Sequence, residues 1–386
     1  PCAATGRLVR TGTGTGCGQS GPSEATAQAD PLALLVQTSG SGGAPKVAML
    51  TVGGLRASAT AINARFGLRA GDAWLGVLPR QHIGGLAIAW RCALARAALV
   101  AHEGFDTAAV RAELMDEAAG ITHLSLVPPM LARLLDAEAE PPPWLRVVLL
   151  GGQALDPAMA RRALAAGWPL VLGYGMTETG SMIASGRVRG DGEVVLTPLP
   201  GVALDCPACD PRIGAATDAS QRQGAQEGPL AAVTRPLRLR APMLMAGYAN
   251  PRRQPGDGLS AGGWLTTSDL ACRTPDGTLR VLGRADEVLV IGGVNVLPAA
   301  IERRLAAAPG IGAVAVAGIP EPVWGHRLVA VYTGAIDAAA LDAWCRTNLP
   351  SVERPRGFRR VAGLPVLASG KLDRRALVRC IEEERK

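Results

Sequence analysis

The sequence predicts an α/β protein: a large domain with mostly parallel sheets and a small β subdomain, followed by a separate α+β domain. Five apolar runs, AWLGVLP, AALVAH, HLSLVP, RVVLLGG and PLVLGYG, alternate with alanine-rich stretches such as PAMARRALAAG. Because βαβ crossovers produce this alternation, we expect a mostly parallel sheet with helices on both faces. From about residue 190 the sequence changes to short strands, turns and Gly/Pro clusters, which predicts the β subdomain.

The first and last elements follow from similar patterns. LALLVQ at residues 32–37 predicts a buried strand, TSGSGGAPK a loop and LRASATAINARFG a helix, which together form a strand, loop and helix unit. Beyond GRADEVLVIGGVNVLP the pattern returns to mixed helix and strand, with GAVAVAGIP and RLVAVYTG as strands and DAAALDAWCRTNL as a helix. These elements predict a domain of about 100 residues.

Composition argues against several classes of protein. The 386 residues carry a net charge of +7, but the basic residues are scattered and only 3% of residues are aromatic, so no nucleic-acid partner is expected. Arg91 and Arg96 interrupt the longest apolar stretch, so no membrane span is expected.

The eight cysteines include one close pair, Cys206 and Cys209, without the second pair of a zinc ribbon, which favours free thiols in a reducing cytoplasm. Residues 1–30 lack the apolar core of a secretory signal, and we interpret them as a flexible or truncated leader.

Lysine is rare in this chain. Of the 40 basic residues only Lys46, Lys371 and Lys386 are lysines, and Lys386 is the last residue. A compact ammonium differs from a planar guanidinium in how it meets a phosphate or carboxylate. Lys46 and Lys371 are therefore the first candidates for a functional role.

Two loops after predicted strands carry candidate phosphate chemistry. TSGSGGAPK at residues 38–46 offers hydroxyls, small residues and a lysine, which suit an anion-binding loop; a surface turn is the alternative. It is not a Walker A loop, because Val47 follows the lysine. YGMTET at residues 174–179 places Glu178 after a strand, where its carboxylate could hold Mg²⁺; a capping sequence before a helix is the alternative.

Five motifs occur in order and together carry a family resemblance. TSGSGGAPKVAMLT, YGMTET, GWLTTSDLA, GRADEVLVIGGVNVLPAAIE and LASGKLDRR resemble those of the AMP-binding, adenylate-forming ligase superfamily of acyl-CoA synthetases, adenylation domains and luciferases. The resemblance covers about residues 31–380. It implies an adenylation domain at residues 31–283, lacking the usual amino-terminal part, and a mobile C-terminal lid at residues 284–386. It also implies ATP, Mg²⁺ and coenzyme A as cofactors.

The resemblance implies a nucleotide- and CoA-binding set of side chains and loops. Its members are Thr38, Ser39, Gly40, Ser41, Gly43 and Lys46 on phosphate, Gly151, Gly152 and Gln153 on the adenine and acyl pockets, Tyr174, Gly175, Met176 and Thr177 facing adenine and phosphate, Asp269 on ribose, Arg284 on ribose or phosphate, and Gly292 and Gly293 on the pantetheine tunnel. A carboxylate such as that of Asp269 suits two ribose hydroxyls; a turn aspartate is the alternative.

The same resemblance implies three catalytic residues. Lys371 would bridge the carboxylate and the nucleotide, because a cation between two anions lowers the cost of bringing them together; a solvated tail lysine is the alternative. Glu178 would bind the metal. His82 in LPRQHIGG would lie at the end of the strand that walls the acyl pocket, with a capping or packed histidine as the alternative. Asp286 matches the hinge of the lid.

The sequence also departs from the superfamily pattern. Gly42 stands where a second threonine is usual, and Val47 where a glycine is usual, which predicts weaker binding of ATP. Only 37 residues precede Thr38, so either this is a truncated gene reading or the enzyme works without that piece. Apolar surface left uncovered there would favour poor solubility or a homo-oligomer.

Within the superfamily, LPRQHIGGLAIAWR and the segment from LLGGQAL to YGMTETGSM most resemble the o-succinylbenzoate-CoA ligases of menaquinone biosynthesis. This resemblance implies a cytoplasmic ligase that takes a small carboxylic acid, ATP and CoA. Arg80 or Arg91 could bind the second carboxylate of such a substrate. The alternatives are loading of a carrier-protein thiol, a fatty or aromatic acid as substrate, and an inactive remnant of the family.

Overall fold

Two antiparallel strands open the part of the chain that the structure describes. The computed structural model covers residues 30–38, 46–190, 194–209, 235–250, 254–366 and 372–383. Strand β1 (Leu32–Thr38) pairs with β2 (Lys46–Thr51), with Thr38 opposite Lys46. The predicted strand, loop and helix unit is therefore wrong in one respect, because the buried run from Ala48 to Leu50 forms a second strand before the helix begins.

Helix α1 (Val52–Phe66) follows β2 directly. It begins where the side chain of Thr51 accepts a hydrogen bond from the Gly54 N–H, and it ends at Gly67, whose φ of 64° is left-handed. A hydroxyl cap at the start and a glycine at the end are common helix boundaries. The cap sets the start of α1 directly at the end of β2.

The central sheet has seven strands, the first five of which are parallel. They are β3 (Ala73–Gly76), β4 (Ala98–Ala101), β5 (Ile121–Leu126), β6 (Val147–Leu150) and β7 (Leu170–Met176), followed by antiparallel β8 (Ser181–Arg187) and β9 (Thr197–Pro198). The spatial order is β4-β3-β5-β6-β7-β8-β9. The helices between them are α2 (Ile83–Ala95), α3 (Thr107–Met115), α4 (Pro128–Asp136) and α5 (Pro157–Ala165).

Helices cover both faces of this sheet, as predicted. Successive strand residues point to opposite faces, and Trp74 and Leu149 pack in one core with α1 and α2. Their neighbours Leu75 and Val148 pack in a second core with α4 and α5. The predicted α/β class with a mostly parallel sheet is confirmed.

The region after β9 is built from short antiparallel strands, as its turns and Gly/Pro clusters predict. They are β10 (Ala203–Asp205), β11 (Arg238–Arg240), β12 (Gly247–Tyr248), β13 (Leu259–Ser260), β14 (Trp264–Thr266), β15 (Asp269–Arg273) and β16 (Leu279–Arg284). Strand β12 leaves this group and joins β2, so the first sheet has the order β1-β2-β12. The segment PRIGAATDASQRQGAQEG at residues 211–228, whose polar composition predicts an exposed loop, lies outside the described residues.

The C-terminal part is a smaller α+β unit. Its elements are β17 (Leu289–Ile291), β18 (Val294–Val296), α6 (Pro298–Leu305), β19 (Ile311–Glu321), β20 (Gly325–Gly334), α7 (Ala338–Asn348), β21 (Gly357–Arg360) and α8 (Arg374–Glu383). Helices α6 and α7 pack on one face of the β19-β20-β21 sheet and α8 on the other. The domain boundary at 283/284 stays a prediction. In the described ranges, no helix is both long enough and apolar enough to cross a membrane.

One disulfide contradicts the expectation that the cysteines are free. Cys209 is bonded to Cys272, with their Cα atoms 4.8 Å apart. An isolated parallel β-bridge between Ala208 and Arg273 brings the two cysteine-bearing segments together. Spacing along the sequence could not indicate this pairing, because the two cysteines are 63 residues apart. Cys206, the other member of the close pair, is free.

Candidate active site

Two predicted nucleotide-binding segments lie at the carboxyl ends of neighbouring parallel strands. Gly151, Gly152 and Gln153 directly follow β6, and Tyr174 to Met176 are the last residues of β7. In open α/β sheets, ligands bind at this edge. The strand order therefore brings together two motifs that the sequence shows separately.

A tight turn after β7 carries Glu178. Thr177–Thr179 form one short 3₁₀ turn, and the hydroxyl of Thr179 accepts a hydrogen bond from the Met176 N–H at 3.0 Å. A Cβ added at Gly175 would overlap the carbonyl oxygen of Ser181, so only glycine fits at this position. YGMTET therefore ends β7 and turns the chain into antiparallel β8, and it is not a cap before an α-helix.

Tyr174, Asp269 and Arg284 form a connected group. The hydroxyl of Tyr174 donates to Oδ2 of Asp269 at 2.6 Å, and Nη1 of Arg284 lies 3.7 Å from Oδ1 of the same carboxylate. Burial, and then the charge of Asp269, raise the pKa of Tyr174 well above its usual value, so the hydroxyl stays protonated and donates. The carboxylate retains lone pairs for further hydrogen bonds.

Glu178 and Lys46 meet at a residue that the motifs did not single out. The hydroxyl of Tyr248 donates to Oε1 of Glu178 at 2.9 Å, and Nζ of Lys46 lies 4.9 Å from the centroid of the Tyr248 ring. The signal that was missed is rarity, because Tyr248 is one of only three tyrosines in the chain. The structure thus joins two of the predicted motifs through Tyr248.

The predicted phosphate loop runs from Thr38, the last residue of β1, to Lys46, the first residue of β2. Thr38 is buried and faces Lys46 across the two strands, so the ends of the loop are held together. Four of the predicted contacts, Ser39, Gly40, Ser41 and Gly43, lie outside the described residues.

His82 immediately precedes α2, and Arg91 lies within this helix. His82 is exposed at the start of the helix, where its side chain makes no capping hydrogen bond. Arg91 is only 1% exposed; its Nη2 donates to Oγ of Ser181 at 2.7 Å, and its guanidinium lies 5.2 Å from the centroid of Trp74. Burial lowers the pKa of Arg91 to about 10, and its Nε has no hydrogen-bond partner within the described chain.

The predicted hinge carries an ion pair, and a glycine turn follows it. Nε and Nη2 of Arg284 each donate to a carboxylate oxygen of Asp286 at 2.8 Å. Gly292 and Gly293 connect β17 to β18 with φ values of 56° and 82°, and a Cβ at Gly292 would lie 2.6 Å from Cε3 of Trp324. Lys371 lies outside the described residues.

The predicted residues are only partly linked by contacts. Tyr174, Asp269 and Arg284 form one group, and Glu178 and Lys46 a second group around Tyr248. Between described residues, no hydrogen bond joins His82, Gly292 or Gly293 to either group. The predicted roles of these three residues in binding a ligand stay predictions.

Comparison with known protein families places the chain. The AMP-binding enzyme family matches residues 7–248, and the AMP-binding enzyme C-terminal domain matches residues 300–371. The chain belongs to the AMP-binding enzyme family. This confirms the superfamily, the fold class and the enzyme class that the five motifs predict.

Individual relatives are similar over most of the chain. The 2-succinylbenzoate–CoA ligase of Bacillus velezensis is 30% identical over 357 residues, which are 92% of this chain and 70% of that protein. The o-succinylbenzoate-CoA synthetase (MenE) of Bacillus subtilis in complex with the acyl-adenylate OSB-AMP superposes with a TM-score of 0.72 at 27% identity, covering 91% of this chain and 69% of that one. The same enzyme in complex with ATP and magnesium ion gives 0.72 at 28% identity, covering 91% and 70%.

Proposed function

We propose that this AMP-binding enzyme is an ATP-dependent acid–CoA ligase that activates 2-succinylbenzoate in two half-reactions. In the first, a carboxylate oxygen attacks the α-phosphorus of ATP, so that an acyl-adenylate forms and pyrophosphate leaves. In the second, the sulfur of CoA attacks the acyl carbon, AMP leaves and the thiol proton passes to solvent. The observation that carries the proposal is the Tyr174–Asp269 hydrogen bond, which joins two nucleotide motifs 95 residues apart.

At the nucleoside end, Asp269 would accept hydrogen bonds from the ribose hydroxyls. Tyr174 holds one carboxylate oxygen from one side, while Arg284 balances the charge from the other. A carboxylate oriented in advance loses less entropy when it binds a diol. The aromatic body of Tyr174 would lie beside adenine.

At the phosphate end, Glu178 fits a magnesium site. Mg²⁺ prefers hard oxygen ligands and is commonly held by one or two carboxylates together with substrate phosphates. Glu178 is half-buried and makes no ion pair with any described side chain, so its charge is available. The ion would neutralise charge on the phosphates, and Lys46 would add a second positive charge there.

The lid would supply Lys371 for adenylation. A lysine between the acid carboxylate and the α-phosphate would stabilise the charge that develops as the two meet. Because one site performs both half-reactions, the lid must reorient between them, with Asp286 as the hinge. The turn at Gly292 and Gly293 would then line the path of the thiol.

For the acid, the second carboxylate of 2-succinylbenzoate needs a cation. Of the two arginines that the sequence offers, Arg80 is exposed, whereas Arg91 is buried without a carboxylate partner in the described chain. A buried cation without a counter-ion is costly, which favours binding of an anion. We therefore assign the second carboxylate to Arg91, held in place by Ser181 and Trp74.

We place the enzyme in the cytoplasm, where ATP and CoA are both supplied. Fractionation of cells that make the tagged chain tests this location. Recovery of the chain outside the cytoplasm, with the Cys209–Cys272 disulfide intact, would overturn it.

Pyrophosphate release over a panel of carboxylic acids, with and without CoA, tests the function. We expect release with 2-succinylbenzoate and conversion to its CoA thioester. Adenylate that accumulates without reacting with CoA would favour the alternative of loading a carrier-protein thiol. Preference for a fatty or simple aromatic acid would contradict the proposed substrate, and no release with any acid would favour the inactive alternative.

A further inference from the structure

Tyr248 contacts both charged groups at the phosphate end of the site. Its hydroxyl donates to Oε1 of Glu178 at 2.9 Å, and its ring lies 4.9 Å from Nζ of Lys46. A charge-assisted hydrogen bond is stronger than a neutral one, and an ammonium near an aromatic ring is attracted to its face. One side chain therefore constrains two residues from separate parts of the fold, Lys46 at the start of β2 and Glu178 in the turn after β7.

The backbone on either side of Tyr248 reinforces these contacts. The Met245 N–H donates to the carbonyl oxygen of Glu178 at 2.7 Å, so this segment fixes the main chain of the Glu178 turn as well as its carboxylate. At the other end, the Ala249 N–H donates to the Val47 carbonyl at 2.7 Å, and the Val47 N–H donates to Oδ1 of Asn250 at 2.8 Å. Residues 245–250 thus connect the Glu178 turn to the end of the phosphate loop.

The ring of Tyr248 is also held from its edge. Gly258 has a φ of 83°, and a Cβ added there would lie 2.5 Å from Cε2 of Tyr248. A side chain at position 258 would displace the ring. Burial, and then Glu178, raise the pKa of Tyr248 well above its usual range, so its hydroxyl remains a donor.

We propose that Tyr248 is a positioning residue for adenylation, which fixes the Glu178 carboxylate for Mg²⁺ and the Lys46 ammonium for the phosphates of ATP. This inference rests on the proposed roles of Glu178 and Lys46. The spacing between the ion and the lysine is then set by one rigid ring. Removing a residue that orients a metal ligand typically lowers metal affinity 10- to 100-fold.

Two substitutions separate the two contacts. Tyr248→Phe keeps the ring beside Lys46 and removes the hydroxyl, so we expect the Mg²⁺ concentration for half-maximal pyrophosphate release to rise about tenfold. Tyr248→Leu removes both contacts, and it should also weaken binding of ATP measured by calorimetry in the absence of Mg²⁺. AMP affinity, and thioester formation from supplied acyl-adenylate, should stay at wild-type values in both variants.

Tyr332→Phe, at a buried tyrosine in the lid, is the matched control and should change none of these quantities. A wild-type Mg²⁺ requirement in Tyr248→Phe would overturn the proposal, as would an equal loss of AMP and Mg·ATP affinity, which indicates a merely structural role. If Tyr248→Leu does not fold, Tyr248→Phe decides alone. If the wild type releases no pyrophosphate with any acid, the proposed function fails, and calorimetry of Mg·ATP against AMP still decides the role of Tyr248.

Discussion

The hydroxyl of Tyr174 lies 2.6 Å from Oδ2 of Asp269, which joins the end of β7 to the start of β15. Residues 95 positions apart thus form one connected pair, which we propose binds the nucleoside. Neither motif alone indicates this contact, since it depends on how the β subdomain packs against the central sheet.

We expect Tyr174→Phe to weaken AMP binding about tenfold, equivalent to about 1.4 kcal/mol, because Asp269 loses the hydroxyl that orients it. Asp269→Ala should weaken it further, and adding Tyr174→Phe to Asp269→Ala should cost nothing more. Calorimetric titration with AMP measures all three variants. Additive losses in the double variant would show that Tyr174 acts independently of Asp269.

Arg91→Lys keeps the buried charge and removes the planar fork, so we expect the KM for 2-succinylbenzoate to rise at least tenfold. The KM for ATP should not change, since Arg91 contacts Ser181 and Trp74 and none of the residues proposed to bind the nucleotide. Arg80→Lys is the matched control and should retain wild-type values. Steady-state kinetics that show the same loss for both variants, or a loss in the KM for ATP, would contradict the assignment.

His123 makes the fold sensitive to acid. It is fully buried, stacks on Trp74, and its burial lowers its pKa to about 4 from an ordinary value of 6.5. Below pH 6.5 the unfolded chain therefore binds a proton that the folded chain does not, and the free energy of unfolding falls by about 3 kcal/mol as the pH falls from 6.5 to 4. Urea midpoints across this range measure the effect. His123→Asn should remove that part of the pH dependence, and His326→Asn, in the C-terminal part, should leave it in place.

Much of the fold follows from sequence patterning, and the exceptions have physical causes. The apolar runs predicted as parallel strands form β3 to β7, because buried parallel strands need continuous apolar sequence. Strand β2 was missed, since its run from Ala48 to Leu50 directly precedes a strong helical pattern. The Cys209–Cys272 bond was missed because only tertiary structure brings these residues together.

The site divides in a similar way. Motifs predicted Tyr174, Glu178, Asp269 and Arg284, and the structure shows how they are held. Tyr248 could not be chosen from a motif, because its role depends on β12 leaving its neighbours in sequence to pair with β2. The predicted residues Lys371 and Ser39 lie outside the described residues and stay predictions.

The hinge can be tested by fixing one dihedral angle. Asp286→Pro sets φ of this residue near −65° and restricts the backbone of Ala285. It also removes the carboxylate that accepts hydrogen bonds from Arg284. We expect first-turnover pyrophosphate release to survive, and CoA-dependent turnover to fall at least about a hundredfold, or about 2.7 kcal/mol of barrier. Asp286→Ala removes the ion pair without fixing the backbone and is the matched control. Wild-type rates in both half-reactions of the proline variant would place the hinge elsewhere.

The most direct test of the central claim is exchange of labelled pyrophosphate into ATP in the presence of 2-succinylbenzoate. Adenylation is reversible chemistry at the α-phosphorus, so the account predicts exchange that requires both the acid and Mg²⁺. Exchange should be lost in Lys371→Ala, while that variant still converts supplied acyl-adenylate and CoA to thioester, because the lysine would act only in the first half-reaction. Folded wild-type protein that shows no acid-dependent exchange would contradict the account, as would a Lys371→Ala variant that loses both half-reactions equally.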